Sequence, residues 1–187
     1  EILRCLVGSE MCIRDRDMTF EIKPVAGGVC AAKGFVANGI WCGIRKNKTK
    51  KDLALIVSEC PADAAAVYTR NLVKGAPLVV TQKHVDGGKI KAVICNSGNA
   101  NTCNADGEEV AEKTCEYTAQ ALGVAAREIA VASTGVIGQP LDVTPIANGI
   151  PALVAGLGAN GLAAAEAIMT TDTEVKEIAV EFMIDGK

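Results

Sequence analysis

His84 is the only histidine in the chain, and this narrows the chemistry at once. A Ser–His or Cys–His enzyme needs an imidazole as general base. His84 falls on a predicted helix, where a surface or helix-end histidine is the ordinary reading. Ser97 stands in Asn96-Ser97-Gly98 and lacks the leading glycine of a G-x-S-x-G nucleophile elbow. Chemistry carried by this chain is therefore not expected to depend on histidine.

Three polar segments remain as candidates. Asn96–Asn104 is rich in Asn and Gly; it can offer amide donors to a ligand, or it can merely satisfy tight-turn geometry. Ser133-Thr134-Gly135-Val136-Ile137-Gly138 sits at the end of a predicted strand. Gly135 lets the backbone turn so that its N–H can face a cleft, and Thr134 adds a hydroxyl. Two adjacent donors aimed at one point make an oxyanion hole, although such turns also occur without function. Met169-Thr170-Thr171-Asp172-Thr173 supplies three hydroxyls and a carboxylate. These could bind a polar substrate, but spacing alone favours capping of backbone groups.

The elements that must position these segments follow from periodicity. Leu53–Ser58, Lys89–Cys95 and Ile129–Ser133 read as buried strands, with Val67–Thr69 as a further short one. A helix is expected from Pro77 to His84, since proline suits a first helical turn, and Asp86-Gly87-Gly88 is a turn. Asn96–Gly107 reads as a loop. A helix over 107–122 carries an inward stripe of Val110, Ala111, Thr114, Cys115, Thr118, Ala121 and Leu122, with Gly123 as its stop. Residues 143–155 and 160–169 read as Ala-rich helices, with Pro151 kinking or ending the first. Lys176–Ile184 alternates as a half-buried antiparallel strand, with Ile178, Val180, Phe182 and Ile184 on one face, and leads into an Asp185-Gly186 hairpin turn. The basic stretch Arg45–Asp52 reads as a solvated turn between strands. Strands and helices mixed this way give an α/β (α+β) layered fold.

Bulk properties exclude several classes. A chain of 187 residues with 49% hydrophobic residues can bury a core. The net charge of −3 and the lack of a basic stripe argue against nucleic acid. No apolar run approaches the ~18 residues of a membrane span, and no signal peptide is evident, so the cytoplasm is the expected location. None of the eight cysteines forms a C-x-x-C pair, so neither a zinc site nor a redox dithiol is expected. Residues 1–17 are aperiodic and resemble a translated adapter, with Met18 as a plausible start.

Gly156-Leu157-Gly158-Ala159-Asn160-Gly161 matches G-x-G-x-x-G and supports an alternative, a nucleotide-binding or non-catalytic α/β domain. A dinucleotide loop requires a preceding strand. Here the preceding residues are short and follow Pro151, so a helix-to-helix turn is the favoured reading.

Taken in order, Gly27-Gly28-Val29-Cys30 through Lys33-Gly34-Phe35, then Asn96–Asn101, then Ser133–Gly138, then Met169–Thr173, the chain resembles the ornithine acetyltransferase family from about Met18 to Lys187. The resemblance implies a layered sandwich like that of N-terminal-nucleophile enzymes. It implies a chain that cuts itself before a threonine, which becomes the nucleophile of a β chain and uses its own amine as base. The acetyl group passes from N-acetylornithine to glutamate in arginine synthesis, and some members also take it from acetyl-CoA. No cofactor or metal is implied, and the assembly is α₂β₂. By position, Thr134 and Gly135 match the family's oxyanion pair and Thr171 a substrate-binding threonine. The threonine nucleophile is expected beyond Lys187, so residues 18–187 read as an α-chain portion that is inactive alone.

Overall fold

The computed structural model describes residues 22–183. The adapter-like residues 1–17, Ile184 and the Asp185-Gly186 turn lie outside that span. A four-stranded sheet is built from β2 (Phe35–Ile40), β3 (Leu53–Asp63), β4 (Lys89–Asn99) and β5 (Ile129–Val136), in that spatial order. The first two pairings are antiparallel, and β4 and β5 run parallel. The helices are α1 (Ala76–Val85), α2 (Gly107–Leu122), α3 (Thr144–Ala155) and α4 (Gly161–Ile168). A small second sheet pairs β1 (Lys23–Val25) antiparallel with β6 (Ala179–Glu181).

Alternation along β3 explains the layering. Successive strand residues point to opposite faces. Leu53, Leu55 and Val57 enter the large core together with Val80 of α1, Val110 and Cys115 of α2, and Ile146 and Ile150 of α3. Ala54 packs on the other face with Ala37, Ala164 and Ala167. That second face is made of small residues because α4 lies directly on the strand backbone. A Cβ at Gly39 would come 2.9 Å from the Ala164 amide nitrogen, so only glycine permits the approach. The fold is mixed α/β, as the periodicity predicts.

Several expected elements shift. Residues 64–70 form no strand: Val67 is 98% exposed, and without a pairing partner a β-branched residue cannot hold an extended ladder. Asn96–Asn99 is strand rather than loop, because β5 pairs with it in parallel as far as Asn99↔Val136. In α2 the inward face includes Ala119 where Ala121 was expected; Ala121 is exposed. Pro151 lies inside α3 without ending it. Its exposed position places the missing N–H on the solvent side.

The strand expected over 176–184 shortens to Ala179–Glu181, antiparallel to β1 as its alternation suggested. Its presumed inner face is largely open, with Ile178 81% exposed and Phe182 48%. Three-residue pairing with β1 gives it no sheet to lie on.

Candidate functional site

The β2–β3 connection, residues 41–52, is organised by one carboxylate. Asp52 is fully buried and accepts the backbone N–H groups of Cys42 (2.6 Å), Arg45 (2.8 Å) and Gly43 (3.3 Å). Buried polar groups must find partners, and here one acid finds three. Burial, with the Asp52 charge beside it, pushes the Cys42 thiol up to about 12, so it stays a neutral packing group. Sequence reasoning treated Arg45–Asp52 as a solvated turn; Lys46, Lys48 and Lys50 are indeed exposed, but the two ends of the stretch are built into the molecule.

Arg45 leaves this connection for the C-terminal ends of β4 and β5. There it lines a cleft of about 420 Å³ together with Gly98, Thr134, Gly135, Thr170 and Thr171. The parallel register sets Ser97 beside Thr134 and Gly98 beside Gly135. Both glycines have positive φ, +96° and +134°, a region side chains rarely adopt. A Cβ at Gly135 would lie 2.6 Å from the Asn99 amide nitrogen, and one at Gly98 would lie 2.9 Å from Arg45 Cγ. The two strand ends close on each other, and the arginine stem lies over the gap. The hydroxyls of Thr134 and Thr171 make no hydrogen bond among the described residues, so both are available to a ligand.

Neighbouring polar groups serve the frame instead. Asn96 donates to the Asn99 carbonyl (2.9 Å) and accepts from the Ser133 hydroxyl (2.5 Å). Asn99 donates to the carbonyls of Gln139 (3.0 Å) and Pro140 (3.1 Å) and accepts the Asn101 N–H (2.8 Å). Ser97, fully buried, donates to the Ala167 carbonyl (2.5 Å) and ties the end of α4 to β4. For the Asn96–Asn104 candidate, then, the asparagine side chains hold the strand ends in place.

Thr171 follows α4, and the next regular element is β6. No helix begins after it and its hydroxyl makes no hydrogen bond among the described residues, so the backbone capping that spacing favoured for this segment falls to Asp172, not to Thr171. Asp172 organises this turn. It accepts the Thr170 N–H (3.3 Å) and pairs with Lys176, and Lys176 followed by that N–H holds its carboxyl below the ordinary value. Arg45 Nη2 donates to the Met169 carbonyl, and Lys51 pairs with Glu166. Gly98 belongs to the Asn96–Asn104 candidate, whereas Arg45 is not among the candidates read from sequence. The arginine was hidden among lysines.

His84 is structural. Its Nδ1 lies 2.7 Å from the Ile129 carbonyl and its Nε2 lies 3.4 Å from Glu112. The G-x-G-x-x-G stretch follows helix α3 rather than a strand. Gly158 exchanges backbone hydrogen bonds with Ala37 on the edge of β2, 2.8 and 3.3 Å. The amide that a pyrophosphate would need is spent on the sheet, which removes the nucleotide-loop reading. Among the described residues no group of three His, Cys, Asp or Glu is placed to hold a metal, and no helix is long and apolar enough to cross a membrane.

Comparison with known proteins places this architecture. The ArgJ family model matches residues 36–187. The arginine biosynthesis bifunctional protein ArgJ of Symbiobacterium thermophilum is 48% identical over 165 residues, and that of Gloeobacter violaceus is 49% identical over 166. Each match takes in 87% of this chain but 41% of the relative, so the chain spans about two fifths of the length of these relatives. Among solved structures, ArgJ of Bacillus halodurans superposes with a TM-score of 0.84 at 40% identity, covering 91% of this chain and 90% of that one. The ornithine acetyltransferase of Mycobacterium tuberculosis, complexed with ornithine, superposes with a TM-score of 0.77 at 35% identity, covering 88% and 94%. Sequence and fold agree along most of the described residues, and the chain belongs to the ArgJ family.

Proposed function

We propose that this chain forms the α-chain portion, residues 18–187, of an acetyltransferase of arginine biosynthesis that moves an acetyl group from N-acetylornithine to glutamate. The observation that carries the reading is the cleft at the ends of β4 and β5, which gathers Thr134, Gly135 and Thr171. Thr134 and Gly135 act as the oxyanion pair, and Thr171 binds the amino-acid substrate.

The nucleophile is a threonine in the part of the family's length that this chain does not cover, freed by self-cleavage as the N-terminus of a β chain. By itself this chain is inactive. In the complete enzyme the β-chain threonine hydroxyl attacks the acetyl carbonyl carbon, and the carbonyl oxygen takes up negative charge between the Thr134 hydroxyl and the Gly135 N–H. Collapse breaks the bond to ornithine nitrogen and leaves an acetyl-threonine ester, which the amine of glutamate then opens. The threonine's own amine serves as base, in keeping with a chain whose one histidine is held structurally. Cleavage is supported by a contrast in coverage: the solved chains are matched along 90% and 94% of their length, the curated relatives along 41%. The assembly is α₂β₂, located in the cytoplasm.

The test is Thr134→Ala in the full-length protein. A preorganised oxyanion donor is worth about 2.7–4 kcal/mol, so kcat should fall roughly 10²–10³-fold. KM should change little, because the ground-state carbonyl binds the hole weakly. A variant with near-normal kcat removes Thr134 from the mechanism.

A further inference from the structure

We infer that Arg45 is a positioning residue of this cleft, holding Met169–Thr171 in register with Thr134 and Gly135. The inference rests on the acetyl-transfer reading and extends it to a side chain on a third element. Thr134 and Gly135 are fixed by the β4–β5 ladder. Thr171 has no such support: it follows α4 in a stretch without regular structure and is exposed, and no hydrogen bond of its own holds it among the described residues. Something must set the distance between the two halves of the cleft.

Arg45 has the form of a strut. Its backbone is pinned at both polar atoms, the N–H by buried Asp52 (2.8 Å) and the carbonyl by Trp41 Nε1 (2.9 Å). Its stem passes over Gly98, where a Cβ would meet Cγ at 2.9 Å, so the glycine leaves the room in which the side chain crosses the strand ends. At its tip, Nη2 donates to the Met169 carbonyl, two residues before Thr171. Each joint is a hydrogen bond or a close packing contact, and the chain of joints runs from the core to the loop. A planar guanidinium transmits such geometry better than a flexible, strongly hydrated ammonium, and misplacing a substrate group by about 1 Å can cost 10²-fold in rate.

Two measurements on the full-length protein test this. The first is amide hydrogen exchange of wild type and Arg45→Met. The Met169 and Thr170 amides, bonded to the Glu166 carbonyl and the Asp172 carboxylate, should lose protection while residues 134–136 keep theirs. Unchanged protection at Met169 and Thr170 overturns the strut, whatever the kinetics.

The second is a mutant cycle. Arg45→Met should lower kcat/KM for N-acetylornithine about tenfold, with Arg45→Lys restoring part of it through one bond to the Met169 carbonyl. In a Thr171→Ala background the same change should cost less than about twofold, since the group it positions is gone. In a Thr134→Ala background it should keep its full cost. A full cost in the Thr171→Ala background overturns the proposal. Normal kinetics for Thr171→Ala itself would instead overturn the substrate-binding role on which the cycle rests, while the exchange result would still stand or fall alone.

Discussion

A threonine hydroxyl in a loop can stabilise the fold or bind a ligand, and the two roles leave different marks. At Thr171 the structure removes the capping role, because no helix follows. A hydroxyl donating to a charged amino-acid substrate would be worth about 1.5–3 kcal/mol. Thr171→Ala in the full-length protein should therefore lower kcat/KM for N-acetylornithine about tenfold or more while leaving the melting temperature unchanged. Thr170 and Thr173 are internal controls. A drop of several degrees with normal kinetics would mean that Thr171 serves the fold after all. The contrast with Asn96 and Asn99 shows what could be read at this scale. The order of short motifs points to Thr134, Gly135 and Thr171 as candidates, and one cleft holds all three. Asparagine composition could not say that Asn99 would spend both its donor and its acceptor on the frame. Those partners lie 40 residues away or across a turn whose path sequence does not fix.

At the scale of elements, apolar patterning located β3, β4, β5 and the four helices because each buries one side, α4 against the small-residue face and the other helices in the large core. It failed where pairing rather than burial decides. Asn96–Asn99 has no strand-like composition, yet β5 extends it by parallel pairing. Arg45–Asp52 misled for another reason: four lysines set its character, while Asp52, fully buried, sets its shape. That element carries its own prediction. Asp52→Ala leaves three backbone N–H groups without their acceptor. At about 1 kcal/mol or more for each unsatisfied donor, the loss is about 3 kcal/mol. For a protein more than twice this length, each 1 kcal/mol lowers Tm by roughly 1–2 °C, because the unfolding entropy grows with residue number. Thermal unfolding of the full-length variant should therefore show a fall of roughly 3–6 °C, with Asp52→Asn falling less because one acceptor oxygen remains. A Tm within about 1 °C of wild type would show that the connection holds without its carboxylate.

At the scale of the whole molecule, the two faces of the sheet are unequal. One is closed by α1, α2 and α3 over Leu53, Leu55 and Ile94, all fully buried. On the other, the one helix among the described residues is the eight-residue α4, with Cys30 packed beside it. Beyond it lies an open apolar cavity of about 630 Å³, bounded by Ile56, Cys95, Ala132, Ile168 and Ile178. Val93 on this face is 37% exposed and Ile168 46%; elsewhere Val67 and Leu72 are each 98% exposed. Isolated apolar side chains on a surface are ordinary, but a contiguous patch with a cavity marks a surface that something covers. The curated relatives are more than twice as long as the stretch matched here, so the rest of the family's polypeptide is available to cover it. Two preparations should then differ sharply: the 187-residue chain and the full-length protein. The shorter chain should bind the dye ANS strongly and elute from size exclusion at a size that rises with protein concentration. The full-length protein should bind little dye and elute at one size. Dye binding that is equally strong in both would place the open face outside the interface. A 187-residue chain that stays monomeric and dye-free across concentrations would show that this chain closes the face by itself, and that the exposed valines and isoleucines are only scattered surface residues.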